Sequence, residues 1–533
     1  MPNHFPLFDV PFLSSLLEEF RAAMRRLLTD LCDELDDLYR HSSRSLRVPT
    51  AFMRAVGASL AREDFSSWKV VGWIEELNDL VYLLDVREQL RHESDARGFV
   101  EAFYATCESQ FYEHGYLEDL FPEGRPTSAA LARRLSGLCL KLARQVARES
   151  IFLVPGLPCR WVEETAQRPW SVPFEFGPHF EQAELPGIPY GVEGGMLMPS
   201  GTEQRRIRHA GRRAGVLIRP DGIEICLGTQ RIALMTFDAS PQWRWRVIPP
   251  CHIGLPSQSN GSLTLGPTLV YDADRTPVRV VESNSDLASR FENALDIIRS
   301  AWPEGAHNLA MLTTRVIPLQ ARGVVSFSYR HRPGLSFINC FDRDQFDLID
   351  DLIHENSHHQ LNLFLRKATL IQGERNQEIF YSPWRRSLRP LRGILHATFT
   401  FTMGAVLFER LSSNADRLAQ RLSKEDVLRA RARCVEEIAS IQYSFNDLDW
   451  AAKQGWLTAA GVGLVDELKQ EIKQIAKRIA PYETAVKRSR YGAELKRHER
   501  QLAHAAKLYR SGRKPVVRNG RDHVSTSPQS GEA

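Results

Sequence analysis

The sequence predicts a predominantly helical α+β protein: a helical N-terminal region, a small mixed β section, and a helical metal-binding core. Three observations predict this class. Stretches with an apolar residue at every third or fourth position dominate both ends of the 533-residue chain. Short apolar runs bounded by Pro and Gly fill the middle. One late helix carries the sequence HENSH, which is an HExxH motif.

The length of the chain favours several domains, because a single hydrophobic core seldom serves so many residues. We expect four segments. They are a helical N-terminal region (1–155), a loop-rich and β-hairpin section (156–290), a catalytic HExxH domain (291–482) and a basic, partly disordered tail (483–533).

Positive charge is concentrated at the C-terminus. The net charge is +4, but the residues from Ala485 onward contain 12 Lys and Arg against 4 Asp and Glu. The rest of the chain is therefore mildly acidic. A second basic run, at 205–213, has no accompanying pattern of stacking aromatic residues, so a solvated loop is favoured and nucleic acid is not an expected partner.

Cysteine usage and the absence of targeting patterns favour a cytoplasmic protein. The eight cysteines contain no CxxC pair, which argues against a zinc ribbon or a dense disulfide framework. The N-terminus lacks the basic start of a signal peptide. The strongly apolar stretch 394–408, which has no charged residue, is shorter than the roughly 20 residues needed to span a membrane, so it predicts a buried helix.

The N-terminal elements follow from helical periodicity. The stretch 12–40 places a stripe of apolar residues on one face, and 73–90 and 128–152 show the same pattern. The stripe consists of Leu16, Phe20, Met24, Leu27, Leu28 and Leu31.

The middle of the chain predicts short strands. GVLIRPDGIEICLG has two apolar runs around Pro220-Asp221-Gly222, which is typical of a β-hairpin. Further strands are expected at RIALMTF, RWRVIPP, SLTLGPTLVYD and PVRVVE.

Helices and strands alternate in the remaining chain. We expect strands at 311–319, 324–330 and 335–339, and helices at 287–302, 342–367, 391–411, 424–444 and 463–480. Aspartates crowd the start of the 342–367 helix, where the helix dipole favours acidic side chains. The tail is expected to begin as a helix and to end disordered.

The HExxH motif lies on the 342–367 helix. Residues four apart in a helix are about 40° apart and one turn up, so His354 and His358 can direct both imidazoles at one ion. Glu355 lies about 100° round, where a hydrolase would place a base for metal-bound water. The alternative is a pair of hydrogen-bonded core histidines, but the apolar flanks favour a metal site. His359 lies about 100° beyond His358 and is not an expected ligand.

The third ligand is left open by the spacing. A metzincin would have Gly and His further along the same helix, where this chain has Leu361 and Phe364. His396 is favoured because it lies in the apolar run GILHATFTF. A core histidine bonded to a backbone carbonyl is the competing interpretation. The other candidate ligands are Glu374, Glu378 and Glu409.

An arginine-rich stretch precedes that apolar run. FYSPWRRSLRPLRG contains Arg385, Arg386, Arg389 and Arg392 and leads directly into the helix. Arginines near a helix N-terminus can bind a carboxylate or a phosphate. A solvated basic loop is the alternative for any one of them.

These two segments resemble the HEXXH-motif family of peptide-modifying proteins, found beside ribosomal peptide natural-product systems. The likeness rests on IHENSHHQLNLF, on YSPWRRSLRPLRGILHATFTF and on the preceding VIPLQARGVVSFSYRHRPGLSFIN, roughly residues 310 to 411. Two departures affect substrate recognition more than metal binding. Ala397 stands where the family often has Gly, and Ser387-Leu388 replaces an acidic pair with Pro.

The resemblance implies a dioxygenase, an iron(II)- and 2-oxoglutarate-dependent peptide β-hydroxylase of peptide natural product biosynthesis. The metal ligands would be His354, His358 and a third residue. His396 would give a three-histidine site, whereas one of the glutamates would give the usual triad with a carboxylate. An arginine among Arg385, Arg389 and Arg392 would pair the far carboxylate of 2-oxoglutarate. The expected partner is a peptide substrate, with or without a leader segment. The position of the N-terminal helical region, before the catalytic domain, is the ground for assigning it the recognition of a leader.

Two other functions remain open on the residues alone. Spacing by itself favours a zinc metallopeptidase with Glu355 as the general base. A peptidase would split its substrate, whereas a hydroxylase would add one oxygen atom. A peptide-binding module with a degenerate site is the third possibility, and His354→Ala would leave its function intact.

Overall fold

The computed structural model describes residues 5–40, 50–90, 96–111, 285–320, 322–372 and 377–510. It also describes helical residues between 129 and 142 and the backbone of short strands between 170 and 265. These residues form a predominantly helical protein with small sheets, which confirms the expected α+β class.

The N-terminal region is helical where it is described. It contains α1 (Val10–Asp37), α2 (Thr50–Ser59), a 3-10 turn (Glu63–Ser66), α3 (Trp68–Leu90) and α4 (Ala96–Phe111). The Asp9 carboxylate caps α1 by accepting a hydrogen bond from the Phe12 amide at 2.9 Å. The predicted apolar stripe of α1 is buried except for the half-buried Leu27. Most of the predicted 128–152 helix lies outside the described residues.

Two antiparallel sheets occupy the middle of the chain. One contains β1 (Trp170–Glu175), β6 (Arg213–Arg219), β7 (Gly222–Leu227), β8 (Gln230–Phe237) and β9 (Trp243–Trp245), in that order. The other contains β2 (Ala183–Leu185), β3 (Ile188–Glu193), β4 (Met196–Met198) and β5 (Ile207–Arg208). The predicted hairpin is confirmed, with Arg219 paired to Gly222. The predicted strand PVRVVE lies outside the described residues.

A mixed sheet packs against the helix that carries the HExxH motif. It consists of β10 (Cys251–Gly254), β11 (Ser262–Leu265), β12 (Arg315–Leu319), β13 (Phe327–Ser328) and β14 (Leu335–Asn339). Their order is β10-β11-β12-β14-β13, with β11, β12 and β14 parallel and β13 antiparallel at one edge.

Two strand predictions near this sheet were too long. The first residues of the predicted 311–319 strand end a helix, α6 (Pro303–Leu312), which the sequence analysis missed. The predicted 324–330 strand shortens to two residues because the chain before it is held as a loop. There Ser326 Oγ accepts from the Asn339 amide at 3.0 Å, and Asn339 Nδ2 donates to the Val324 carbonyl at 2.6 Å.

Six helices and one hairpin complete the C-terminal half. They are α5 (Ser285–Ala301), α7 (Gln345–Lys367), β15 (Phe380–Ser382), β16 (Ser387–Arg389), α8 (Leu391–Ser413), α9 (Lys424–Lys453), α10 (Ala459–Arg488) and α11 (Gly492–Arg510). α9 and α10 exceed their predicted lengths, and α10 accommodates Pro481 internally. α8 is long and apolar enough to cross a membrane, but most of it is buried within the protein.

The HExxH helix α7 lies at the centre of a continuous hydrophobic core. One cluster of buried apolar side chains includes residues of the N-terminal segment, such as Phe5, and residues of α10, such as Ile479. The Phe364 ring contacts Phe5 on one side at 5.0 Å and Phe399 of α8 on the other at 5.9 Å. Gln360 Nε2 donates to the Leu7 carbonyl at 2.6 Å. The N-terminal segment therefore packs directly against the helix that carries the motif.

Candidate metal centre

The start of α7 is set by a capping box. The Asp344 carboxylate accepts from the Asp347 amide at 2.9 Å, and the Asp347 carboxylate accepts from the Asp344 amide at 3.2 Å. Arg429 of α9 pairs with both aspartates at 2.5 Å. The predicted start at 342 was too early because Asp342 has a φ of 50°, which does not continue a helix.

His354, Glu355 and His358 form a compact donor cluster on α7. One ligand atom from each lies within 4.8 Å of the others. The two imidazole centroids are 5.1 Å apart. The one-turn spacing of the histidines thus brings their rings to the same side of the helix, as the sequence predicts.

Both histidines are held neutral. Burial, helped by the positive charges of Arg385 and Arg433, lowers the pKa of His354 to about 4. Burial also places the pKa of His358 well below its usual value, and His354 and His396 add to the effect. Neutral imidazoles near pH 7 carry a free nitrogen lone pair, which is the form that binds a metal.

Glu355 is the most perturbed acid of the cluster. Its side chain is 2% exposed, and its Oε2 has no hydrogen-bond partner among the described residues. Burial raises the pKa of Glu355 to about 8, although the neighbouring Ser328 hydroxyl of β13 acts in the opposite direction. A buried carboxyl without a full set of partners is costly, and a cation beside it would relieve that cost.

His396 is the third-ligand candidate that the fold brings to the cluster. It lies on α8, which packs alongside α7, and its ring centroid is 6.2 Å from that of His358. Its side chain is half-buried, as are those of His354 and His358. Three imidazoles from two helices therefore lie close together, and none of the three residues is fully buried.

Two of the other ligand candidates lie elsewhere. Glu409 follows His396 by 13 residues on the same helix, about 20 Å along its axis. Its Oε1 accepts from Ser413 Oγ at 2.5 Å and lies 3.1 Å from Arg478 Nε. Glu378 is exposed. Glu374 lies outside the described residues.

The arginine-rich stretch forms the hairpin of β15 and β16, a pair of strands that was not expected from the sequence. Arg385 and Arg386 are exposed at its turn, whereas Arg389 and Arg392 are half-buried where it joins α8. The charge of Arg385 lowers the pKa of His354, Glu355 and His358. Among the four arginines of this stretch, Arg385 is thus the one whose charge acts on all three residues of the cluster.

His359 is part of the scaffold that holds α7 on the sheet. It is buried, Ser336 Oγ of β14 lies 3.0 Å from its Nε2, and the Gly334 amide donates to its Nδ1 at 3.4 Å. With both nitrogens engaged, it is not positioned to bind a metal, as expected. Burial lowers its pKa to about 4.

Several residues near the cluster escaped the sequence analysis as functional positions. They are Ser328 beside Glu355, Phe401 against His354, and Arg433 and Glu437 of α9. The two α9 residues are about 80 positions away in the chain and follow an ordinary amphipathic pattern. No local signal in the sequence distinguishes them.

The arrangement can bind one divalent cation. Glu355 would lie buried beside the ion, and the exposed Arg385 would lie near it. Imidazole suits zinc, copper, iron and nickel, so the donor set does not restrict the site to one metal. No protein-family model matches the chain, and a search of curated proteins gives no match.

Proposed function

We propose that this protein is a metal-dependent peptide-modifying enzyme, an iron(II)- and 2-oxoglutarate-dependent oxygenase that hydroxylates the β-carbon of a residue in a ribosomally made peptide. The observation that carries the proposal is the cluster of His354, Glu355 and His358 with His396 beside it. The resemblance of residues 310 to 411 to peptide-modifying proteins supports the choice of reaction.

His354, His358 and His396 would hold the metal through their imidazole nitrogens. When bound, iron(II) supplies the oxygen activation that an unactivated C–H bond requires. Three protein ligands leave coordination positions for the keto acid and for oxygen. The partial exposure of His354, His358 and His396 would give these small molecules access to the ion.

Arg385 would bind the distal carboxylate of 2-oxoglutarate. Among the residues that the structure describes, no carboxylate pairs with its guanidinium, and its charge reaches the cluster. Arginine suits this role because its planar fork can donate two parallel hydrogen bonds to a carboxylate.

Glu355 supports one second candidate, a zinc metallopeptidase. Its carboxyl lies beside the two histidines in a buried position with a raised pKa. A general base for a zinc-bound water needs this placement. Under this alternative a peptide would be cleaved, and no keto acid would be required.

The first test is to purify the full chain anaerobically, confirm iron(II) by elemental analysis, and add 2-oxoglutarate while recording the visible spectrum. A new metal-to-ligand charge-transfer band would support the hydroxylase. Bound iron without a band would remove the support for the keto acid, and zinc and peptide cleavage would then be tested.

Matched arginine variants sharpen this test. We expect Arg385→Asn to keep iron but to need at least about tenfold more 2-oxoglutarate, because the carboxylate loses a charged partner worth about 1.5–3 kcal/mol. Arg386→Asn is the control, since Arg386 is the next residue of the same turn and Asn tolerates its φ of 55°. Equal behaviour of the two variants would contradict the role of Arg385.

A further inference from the structure

Two stacked aromatic rings connect the candidate metal centre to a buried carboxylate on another helix. The Phe401 ring of α8 meets the His354 imidazole in a T-shaped contact, with centroids 4.9 Å apart. The Trp384 indole, from the turn of the β15–β16 hairpin, is stacked on Phe401 at 4.4 Å and 5°. A single aromatic layer therefore separates the Trp384 ring from His354.

The far side of this stack is tied to α9. The Trp384 indole N–H donates to Glu437 Oε2 at 2.7 Å. Glu437 is 2% exposed, and its other oxygen lies 3.2 Å from the Arg433 guanidinium. Arg433 also lies 3.6 Å from Asp350, one turn before His354 on α7. The contacts run from α7 through α8, the hairpin and α9 back to α7.

His354 depends on this stack for its orientation. Metal-binding histidines ordinarily donate their second ring nitrogen to a carboxylate or carbonyl, which fixes the ring. Within the described part of the chain, the His354 imidazole makes no such hydrogen bond, and its ring contacts are with Phe401 and His358. Packing against Phe401 thus takes the place of the usual hydrogen bond.

We propose that Trp384 is a positioning residue for the metal centre: anchored by Glu437, it holds the Phe401 ring against His354 and so orients the imidazole. This inference rests on the proposed metal site but not on the identity of the metal. Trp384 also directly precedes Arg385, so its hydrogen bond to Glu437 helps to fix the position of Arg385.

A purely structural role for Trp384 would have different consequences. Loss of packing alone would lower the stability of the fold and leave the ligand geometry of the folded fraction unchanged. A positioning role changes both the affinity for a metal and the spectrum of the bound ion, since coordination geometry depends on the direction of each imidazole.

The test uses cobalt(II) as a spectroscopic probe bound to the full chain. Trp384→Leu removes the aromatic ring, Trp384→Phe keeps a ring but loses the N–H, and Glu437→Gln removes the charge of the acceptor. Trp450→Phe is the matched control, because Trp450 is also half-buried and packs on Phe380 and Trp456 away from the cluster.

We expect Trp384→Leu to weaken cobalt(II) binding at least about tenfold and to shift the visible bands, in line with the effect of removing a supporting contact of a metal ligand. Trp384→Phe and Glu437→Gln should give smaller changes in the same direction. Trp450→Phe should match the wild type in both affinity and spectrum. Should Trp384→Leu fail to fold, the two milder variants decide.

The outcomes separate this inference from the proposed function. If cobalt(II) binds the wild type, is lost in His354→Ala and is unchanged by the Trp384 and Glu437 variants, the positioning role is overturned and the metal site stands. If the wild type binds no metal, the proposed function and this inference both fail.

Discussion

Individual side chains in the candidate site are tuned by burial more than by partner charges. Desolvation is the largest influence on the pKa of His354, Glu355 and His358. It keeps the two imidazoles neutral and the carboxyl protonated at neutral pH. A metal ion would reverse this balance at Glu355, because a nearby cation favours the carboxylate.

Metal binding should therefore release a proton from Glu355. With a pKa of about 8, the carboxyl is mostly protonated at pH 7 in the metal-free protein, whereas His354 and His358 are already in the neutral form that binds a metal. We expect release of up to about one proton per metal bound. Calorimetry in two buffers of different ionisation enthalpy measures it. Glu355→Gln should abolish the release, and an unchanged value in that variant would refute the assignment.

His359 should make the metal-free fold sensitive to acid. Its pKa is about 4 in the folded protein, against 6.5 when unfolded, so the unfolded chain binds more protons between these values. The folded protein keeps its full free energy of unfolding, as far as His359 is concerned, above pH 6.5. This free energy falls as the pH drops toward 4. At pH 5 the lowered pKa of His359 should reduce the free energy of unfolding by about 2 kcal/mol.

The check on His359 is denaturant unfolding with a chelator at pH 7 and at pH 5. His359→Gln should be less stable than the wild type at pH 7, because the Ser336 contact changes, but should lose less stability on acidification. His504→Gln, an exposed position on α11, serves as the control. A variant with the wild-type pH slope would show that His359 is not the responsible group.

At the scale of elements, the site depends on close packing between helices and the segments that cross them. Gly461, near the start of α10, packs against the backbone of Leu370, just after the end of α7. A β-carbon built at this position would come 2.1 Å from the Leu370 carbonyl oxygen. Backbone cannot move aside as a flexible side chain can, so only glycine fits.

We expect Gly461→Ala to destabilise the protein by at least about 1–3 kcal/mol, the usual range for overpacking. Gly72→Ala is the matched control within α3, where the nearest atom would be at an ordinary 3.7 Å. That substitution should stabilise the fold by about 0.5–1 kcal/mol through helix propensity. Thermal unfolding of the two variants measures the contrast. Similar shifts in melting temperature would contradict the close contact between Gly461 and the Leu370 backbone.

The boundaries of the helices and strands show which local patterns in the sequence were sufficient to predict them. Strong periodicity predicted α1, α5, α7 and α8 closely. α6 was missed because its ten residues begin directly after the preceding helix and lead into a strand of similar apolar character. The two-residue β13 is preceded by a loop held by two hydrogen bonds, from the Asn339 backbone amide to the Ser326 hydroxyl and from the Asn339 side chain to the Val324 carbonyl, which no periodicity records.

For the whole molecule, the N-terminal helices and the metal-binding helix share one hydrophobic core. α1 contacts α7 through Phe12 and Phe364, and Arg366 of α7 pairs with Glu75 of α3 at 2.5 Å. Damage to the N-terminal segment should therefore reach the metal centre.

Phe5→Ala tests this coupling, because Phe5 is fully buried and contacts Phe364. We expect a loss of about 3–5 kcal/mol of stability and a single unfolding transition in which the α7 region melts together with the N-terminal helices. Calorimetry would reveal the number of transitions. A separate N-terminal transition, with the metal affinity unchanged, would contradict the shared core.

The sequence by itself determined the helical α+β class, the one-turn spacing of His354 and His358, and the basic character of the hairpin beside them. These properties depend on residues close together in the chain, where period and spacing dictate geometry. Only the tertiary structure decided that the His396 ring lies beside that of His358 and that Glu409 is engaged with Arg478. It also decided that Glu437 anchors Trp384. These contacts join residues dozens of positions apart, and the packing of α7, α8, α9 and α10 brings them together.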